Sequence, residues 1–328
     1  MLEDQLNSSK FTKRIAAAAA AVGLMVAGAV AIAPSAQAVG ACNNYTSSTS
    51  TCTNVQTNIG GTNYSVDWYQ PNGTATALAL VEHGFSRSCN NLRGTSKAIA
   101  EKGLMVFCIS TDMTGGNAAL ATTLGDALNA RTIVPPNGKP LPVKYIVGGH
   151  SAGGQFASTV GARLVADGYP NLLGAILFDA VASDGFSANL AAISNNGARP
   201  VLEVAARPSI TNLSNNGFGA LEALNTGYVG IQLVWTGYNV FGPYGGSCHT
   251  DSEGEDTNII GTAGALCSPN ATQTARLRDF SSNWAYDMAN GTTTSAYYCT
   301  NEDVISSCGA KVRDLVDRTL PLAAPIET

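Results

Sequence analysis

One serine lies in a glycine-rich stretch that could carry nucleophilic chemistry. Residues 145–155 read YIVGGHSAGGQ, and Ser151 is the centre of a Gly-x-Ser-x-Gly motif between an apolar run and a helical stretch. A serine at the apex of a tight strand-to-helix turn exposes its hydroxyl, and small residues two positions away let the strand and helix approach. The motif therefore predicts Ser151 as a nucleophile. The alternative is a glycine-rich packing turn that contains an incidental serine.

A serine nucleophile needs a base, and the chain has three histidines. His150 lies inside the turn and is expected to point away from its apex, whereas His83 precedes Gly84 at the end of an earlier apolar run. His249 lies in a glycine-rich loop after the last strong apolar run, from which an imidazole can reach the turn. We therefore expect His249 to be the base, and a surface histidine beside Cys248 is the alternative.

The base needs a carboxylate that fixes its tautomer and stabilises the imidazolium. Asp179 ends the apolar run that follows the helix after Ser151, which places both residues at one edge of a parallel sheet. Asp184 is the competing acid, five residues further in an expected loop. Glu203 lies in the middle of the next run, as a residue at the core edge or as a salt-bridge partner of Arg207. We favour Asp179 because strand ends position catalytic groups better than loops do.

Acyl transfer also needs hydrogen-bond donors for the oxyanion of the tetrahedral intermediate. The segment HGFS at 83–86 follows an earlier apolar run, where a backbone N–H can be aimed at that oxygen. The N–H of the residue after the serine is the usual second donor. We therefore expect Phe85 and Ala152 to form the oxyanion hole, with Ser86 as the alternative to Phe85.

The elements that must position these groups alternate along the chain. The expected strands cover 62–70, 77–85, 104–110, 144–149, 172–181, 200–206 and 228–237. Helical stretches are expected at 92–102, 117–133, 152–168, 187–194, 217–225 and 275–290. Runs that are apolar throughout and separated by helices are typical of parallel strands covered on both faces. The sequence therefore predicts one α/β domain with a mainly parallel central sheet flanked by helices, after an irregular lead-in at 39–60.

Residues 1–38 have the pattern of a secretory signal peptide. Three basic residues precede an uncharged, alanine-rich segment at 15–33, and Ala-Gln-Ala at 36–38 is a small-x-small cleavage site. A membrane anchor is the alternative, because nineteen apolar residues approach spanning length. We expect cleavage after Ala38, which leaves a single catalytic domain at 39–328 of a secreted, extracellular protein.

Composition narrows the expected partners. Without the first 38 residues the chain has 21 acidic and 15 basic residues, a net charge of −6, so nucleic acid is not an expected partner. A hydrophobic content of 45% indicates a compact globule. We expect a monomer with an ester substrate and no stable membrane insertion after removal of the signal.

The cysteines indicate disulfide bonds rather than a metal site. All eight lie beyond residue 38, and an even number in an exported protein favours pairing. No Cys-x-x-Cys occurs, which argues against zinc. The acidic loop DSEGED at 251–256 lacks the spacing of a calcium-binding hand, so we expect a solvated loop. The simplest disulfide scheme pairs the cysteines in chain order: Cys42–Cys52, Cys89–Cys108, Cys248–Cys267 and Cys299–Cys308.

Together these residues resemble the serine esterases and lipases of the α/β-hydrolase superfamily. The HGF segment, the GHSAGG turn and an acid after the next strand look most like the branch of chlorophyllase and platelet-activating-factor acetylhydrolase. The HGF loop is also similar to that of cutinase-like polyester hydrolases, which usually carry the acid one strand later, where this chain has none. The resemblance implies hydrolysis of a carboxylic ester by Ser151, His249 and Asp179 through an acyl-enzyme, without a cofactor.

Only about twenty residues separate Asp179 from the next expected strand, too few for a large cap domain over the site. We therefore expect a fairly open active site, which suits lipid, aryl or polymeric esters as substrates. Three other functions stay open: a secreted acyltransferase with the same triad, a peptidase, and a non-catalytic binding protein that keeps the fold.

Overall fold

The computed structural model describes residues 40–326, so the expected signal peptide and its cleavage site lie outside the described residues. None of the helices in this range is long and apolar enough to cross a membrane. The strands are β1 (Gly40–Ala41), β2 (Ser50–Ile59), β3 (Thr62–Pro71), β4 (Leu78–Glu82), β5 (Met105–Ser110), β6 (Tyr145–His150), β7 (Leu172–Phe178), β8 (Val201–Ala205), β9 (Gly230–Leu233), β10 (Gly237–Asn239), β11 (Gly242–Tyr244) and β12 (Ala323–Pro325). The helices are α1 (Arg93–Ala100), α2 (Ala118–Asn129), α3 (Ala152–Ala166), α4 (Phe186–Ser194), α5 (Phe218–Glu222), α6 (Ile259–Ala265), α7 (Ala271–Asn290) and α8 (Ala310–Val316).

Ten of the strands form one sheet, in the order β1-β2-β3-β5-β4-β6-β7-β8-β9-β12, and β10 pairs with β11 in a separate hairpin. The six strands from β5 to β9 in this order run parallel, with antiparallel strands at both edges. Between β7 and β8 the chain forms only one helix, α4, so no large domain interrupts the sheet there. The α/β-hydrolase fold expected from the sequence is confirmed.

Helices cover both faces of this sheet, which explains why the central strands are apolar throughout. Helices α2, α3 and α4 pack against one face in a core that includes Trp68, Phe107 and Phe156. Helices α1, α7 and α8 pack against the other face, around Phe280 and Trp284. Strands β4 and β6 are buried at every position because apolar side chains meet helices on either side.

Both edges of the sheet differ from the sequence prediction. The lead-in expected to be irregular contains β2, which pairs along its whole length with β3 in antiparallel register. Its inward positions include the threonines Thr53 and Thr57, and the Thr57 hydroxyl accepts a hydrogen bond from Trp68 Nε1 at 3.1 Å. Polar residues at inward positions hide the alternation that predicts a strand. At the other edge, β12 has three residues, too few to give a pattern.

The four disulfides join the cysteines in the order of the chain, as the simplest scheme predicts. The pair Cys248–Cys267 closes a ring of chain that contains His249 and α6. No cysteine within residues 40–326 is free. The other pairs are Cys42–Cys52, Cys89–Cys108 and Cys299–Cys308.

The turn between β6 and α3 brings backbone segments into direct contact. A Cβ on Gly153 would lie 2.4 Å from the carbonyl oxygens of Glu82 and His83, and one on Gly149 would lie 2.2 Å from the carbonyl oxygen of Gly153. Ser151 has φ +56° and ψ −126°, a conformation that costs free energy for a residue with a side chain. The flanking glycines therefore provide the clearance for a strained serine.

We expect Gly153→Ala to lower the free energy of unfolding by about 1–3 kcal/mol, because backbone atoms cannot move away from the added methyl group. Gly219→Ala is the matched control, since nothing lies within 4 Å of a Cβ at this position in α5. There alanine should raise stability by up to about 1 kcal/mol. Urea unfolding of both variants measures the difference, and equal stabilities would contradict the close packing.

Candidate active site

The residues singled out in the sequence meet at the carboxyl edge of the parallel strands. Ser151 follows β6, Asp179 follows β7, and His249 lies in the loop between β11 and α6. Open α/β sheets bind their ligands at this edge. Ser151 and His249 line a cleft of about 390 Å³, together with Phe85 and residues of α6.

The imidazole of His249 contacts Asp179 and not the competing acid. Its Nδ1 lies 2.6 Å from Asp179 Oδ2, and both side chains are buried. Asp184 is exposed, and its carbonyl oxygen accepts a hydrogen bond from the Gln155 amide. A proton on His249 Nδ1 donates to the carboxylate and leaves Nε2 free to accept another proton.

The Ser151 hydroxyl makes no hydrogen bond to any residue in the described range, including His249. Bonds between a nucleophile and its base are often long without substrate and tighten in the complex. No hydrogen bond within residues 40–326 therefore holds the hydroxyl, and Ser151 lines the same cleft as His249.

The segment after β4 packs directly against the serine. A Cβ on Gly84 would lie 2.9 Å from Ser151 Cβ, and the Arg87 N–H closes a turn by donating to the Gly84 carbonyl at 3.3 Å. Within residues 40–326, the N–H groups of Phe85, Ser86 and Ala152 have no hydrogen-bond acceptor. Ala152 is the first residue of α3, where a helix leaves its N–H groups unused. Phe85 and Ser86 both remain available as the first oxyanion donor.

Asn212 is a residue of the site that the sequence did not reveal. Its Nδ2 donates to Asp179 Oδ2 at 3.0 Å and to the Arg207 carbonyl at 2.9 Å, and its Oδ1 accepts the Ser209 N–H at 2.7 Å. The Ala206 N–H also donates to Asp179, at 2.9 Å. Asn212 is completely buried, but one asparagine in a loop rich in serine and asparagine gives no signal in the sequence.

His150 supports the loop that carries His249. Its Nε2 lies 2.7 Å from the His249 carbonyl oxygen, and the two rings are 4.6 Å apart. Burial, with a smaller effect of His249, lowers the pKa of His150 to about 4. The ring is therefore neutral at pH 7, and its Nδ1 lies 3.9 Å from Glu253 Oε1.

The acidic loop at 251–256 is largely buried, contrary to the sequence expectation, and Glu255 is its one exposed residue. Glu253 is completely buried and accepts a hydrogen bond from Arg87 Nε at 2.8 Å. Asp256 pairs with Arg93, and Glu255 pairs with Arg278 at 3.1 Å. The three arginines come from distant parts of the chain, so the sequence of the loop alone could not show them. The Arg87–Glu253 pair also joins the turn after β4 to the histidine loop.

Glu203 is a buried carboxyl next to Asp179 rather than a salt-bridge partner of Arg207. Its Oε1 accepts the Ala180 N–H at 2.8 Å. Burial, and then the charge of Asp179, raise the pKa of Glu203 to about 8. The group is therefore neutral at pH 7, which avoids a second negative charge beside Asp179. The guanidinium of Arg207 lies over the Trp235 ring instead, 5.3 Å from its centroid.

Comparisons with known proteins find similar solved structures of low sequence identity. No protein-family model matches the chain, and no curated protein matches it. Among solved structures, the chain is similar to a carboxyl esterase 2 from Tuber melanosporum, with 14% identity over 77% of this chain and 91% of that one and a TM-score of 0.49.

Two further structures are more distant in shape. A dienelactone hydrolase from Anabaena variabilis is 17% identical over 54% of this chain and 82% of that one, with a TM-score of 0.40. An S-formylglutathione hydrolase from Agrobacterium tumefaciens is 13% identical over 57% of this chain and 86% of that one, with a TM-score of 0.42.

We expect Asn212→Ala to lower the free energy of unfolding by about 2–3 kcal/mol, because it removes a hydrogen bond to a buried carboxylate and leaves backbone groups without partners. Asn216→Ala is the matched control, since the Asn216 side chain bonds the exposed backbone of Ala182. The control should cost less than about 1 kcal/mol. Chemical unfolding measures both, and a similar small cost at both sites would contradict the role of Asn212.

The buried carboxyl of Glu203 predicts a dependence of stability on pH. Because its pKa is raised in the folded state, its contribution to the free energy of unfolding is present below pH 4.5 and is lost as the pH rises through about 8. A glutamine side chain mimics the neutral form. As the pH rises from 5 to 9, we therefore expect the free energy of unfolding of Glu203→Gln to increase by about 2 kcal/mol or more relative to that of the natural protein.

The control for this experiment is Glu222→Gln, since Glu222 is exposed at the end of α5. It should show no such gain. Unfolding in urea at pH 5, 7 and 9 provides the comparison, and a difference between Glu203→Gln and the natural protein that does not change with pH would rule out the raised pKa.

Proposed function

We propose that this chain is a secreted serine hydrolase that cleaves carboxylic esters through an acyl-enzyme. The observation that carries the proposal is the strained Ser151 in one cleft with a His249–Asp179 pair joined at 2.6 Å. A serine hydroxyl in the same cleft as an imidazole whose other nitrogen is held by a carboxylate is the arrangement that serine hydrolysis requires.

In the first half of the reaction, Ser151 Oγ attacks the ester carbonyl carbon while its proton moves to His249 Nε2. The carbonyl oxygen becomes negative, and the N–H of Ala152, with that of Phe85 or Ser86, stabilises it. The bond to the leaving oxygen then breaks, and the alcohol takes the proton from His249. Water repeats the sequence on the acyl-enzyme and releases the acid.

The surroundings of Asp179 fit its role in these steps. Asp179 accepts hydrogen bonds from Ala206, Asn212 and His249. Because these donors hold the carboxylate in place, it can orient the imidazole and stabilise the imidazolium.

The lining of the cleft supports an apolar acyl group. Phe85, Ile260 and Ala265 line it, and Phe85 and Ile260 are largely exposed at its edge. We propose lipid, aryl or polymeric esters as substrates. The position of the acid directly after β7 favours a relationship of this chain to the branch of chlorophyllase and platelet-activating-factor acetylhydrolase.

Secretion is part of the same proposal. Four disulfides suit an oxidising compartment, and the leader pattern at 1–38 supplies a route to one. We propose that the mature protein acts outside the cell as a monomer without a cofactor.

The test is hydrolysis of p-nitrophenyl esters of increasing acyl length by the mature protein. We expect Ser151→Ala to lower kcat/KM by about 10³-fold or more, because it removes the nucleophile. A fluorophosphonate probe should label Ser151 in the natural protein. Activity no higher than that of Ser151→Ala across the series, without labelling, would indicate a non-catalytic protein.

The same assay separates the two acids. Asp179→Asn should lower kcat/KM by about 10³-fold or more because the imidazole loses its orienting carboxylate. The matched control Asp184→Asn removes an exposed charge and should change little. Full activity of Asp179→Asn would exclude it as the acid. Product analysis with an added acceptor alcohol detects an acyltransferase, and the matching amide substrates detect a peptidase.

A further inference from the structure

A second pocket adjoins the cleft beside His249. Its volume is about 240 Å³, and it shares Thr211, His249 and Ala265 with the cleft. Ser151 lines the cleft but not this pocket. The imidazole therefore lies at the junction of two spaces, of which only one contains the serine.

Arg207 lines the second pocket and forms no salt bridge within residues 40–326, although its charge acts on the buried carboxyl of Asp251 and opposes the rise in pKa that burial causes there. No carboxylate in residues 40–326 lies within 4.0 Å of its guanidinium, which also donates no hydrogen bond in that range. Other arginines near the site are neutralised, since Arg87 pairs with Glu253 and Arg93 pairs with Asp256. Arg207 thus carries a positive charge and unused hydrogen-bond donors in the lining of a pocket that His249 also lines.

The position of Arg207 is fixed by the same residues that hold the site. Its N–H donates to Ser247 Oγ at 2.8 Å, and its carbonyl accepts Asn212 Nδ2 at 2.9 Å. Asn212 also holds Asp179, so the backbone of Arg207 is connected to the partner of His249 through one side chain. The Trp235 ring supports the guanidinium through a cation–π contact.

The reaction assigns each space to one part of the ester. The acyl group is bonded to Ser151 in the intermediate and so occupies the cleft that Ser151 lines. The leaving alcohol takes its proton from His249, so it lies at the imidazole, where the second pocket begins.

We propose that the second pocket binds a carboxylate on the alcohol part of the substrate, through Arg207. This inference rests on the proposed function and specifies its substrate class: acyl esters of hydroxy acids, such as the free carboxyl end of an oligoester. Hydrolysis adds one water, breaks the bond between the acyl carbon and the leaving oxygen, and releases a carboxylic acid and a hydroxy acid. Guanidinium groups bind carboxylates in a bidentate geometry with two parallel hydrogen bonds, which suits Arg207 to this role.

The experiment compares 4-carboxyphenyl butyrate with 4-carbamoylphenyl butyrate at pH 7.5. The two esters share the acyl group and differ in the charge on the alcohol part. We expect Arg207→Gln to lower the ratio of their kcat/KM values by about tenfold, because a charge-assisted hydrogen bond is lost. Arg207→Lys should retain part of the preference, since it keeps the charge without the planar fork.

Two controls identify the pocket and the charge. Arg313→Gln makes the same substitution at an exposed position on α8 that lines neither space, and it should leave the ratio unchanged. Monophenyl succinate carries its carboxylate on the acyl part, so its kcat/KM relative to phenyl butyrate should not respond to Arg207→Gln. An unchanged ratio for the butyrates, or an equal response of the succinate, would overturn the proposal.

Binding of the products tests the pocket without catalysis. In the Ser151→Ala background, 4-hydroxybenzoate should bind more tightly than 4-hydroxybenzamide by calorimetry, and Arg207→Gln should abolish the difference. If no ester is hydrolysed but this difference depends on Arg207, the proposed function fails and the pocket assignment stands. If esters are hydrolysed but both compounds bind alike, the pocket assignment fails and the proposed function stands.

Discussion

The arrangement of the site depends on one buried carboxylate. Asp179 lies at φ +46° after β7 and accepts hydrogen bonds from two loops, through Ala206 and Asn212 in one and His249 in the other. Burying a carboxylate without such donors costs free energy. Because the donors come from the loop after β8 and from the histidine loop, the carboxylate holds these loops at one strand end. The neutral carboxyl of Glu203 lets this charge exist beside a second acid.

The sequence predicted the parts of the molecule that local patterns encode. Continuous apolar runs predicted the parallel strands, and the spacing of glycines around Ser151 predicted a close turn, which Gly149 and Gly153 form. The histidine could be selected because only three exist. These features lie within short segments, so their physical reasons can be read without the tertiary structure.

Features that depend on distant contacts could not be predicted in this way. Strand β2 was not predicted because threonines occupy some of its inward positions and hide the apolar alternation. One of them, Thr57, accepts a hydrogen bond from the buried Trp68. The loop at 251–256 looked solvated because its arginine partners, Arg87, Arg93 and Arg278, lie about 160 residues earlier or in α7. Asn212 gave no signal because its importance comes entirely from what it contacts.

The disulfide between Cys248 and Cys267 has a consequence for resistance to proteolysis. The segment it closes includes His249 and the whole of α6, which lines the cleft. A single backbone cut inside this ring leaves both new ends covalently attached to the body of the protein. His249 is next to Cys248 in the chain, so the disulfide keeps it attached after such a cut. One cleavage within residues 248–267 therefore cannot release His249 or α6 from the site.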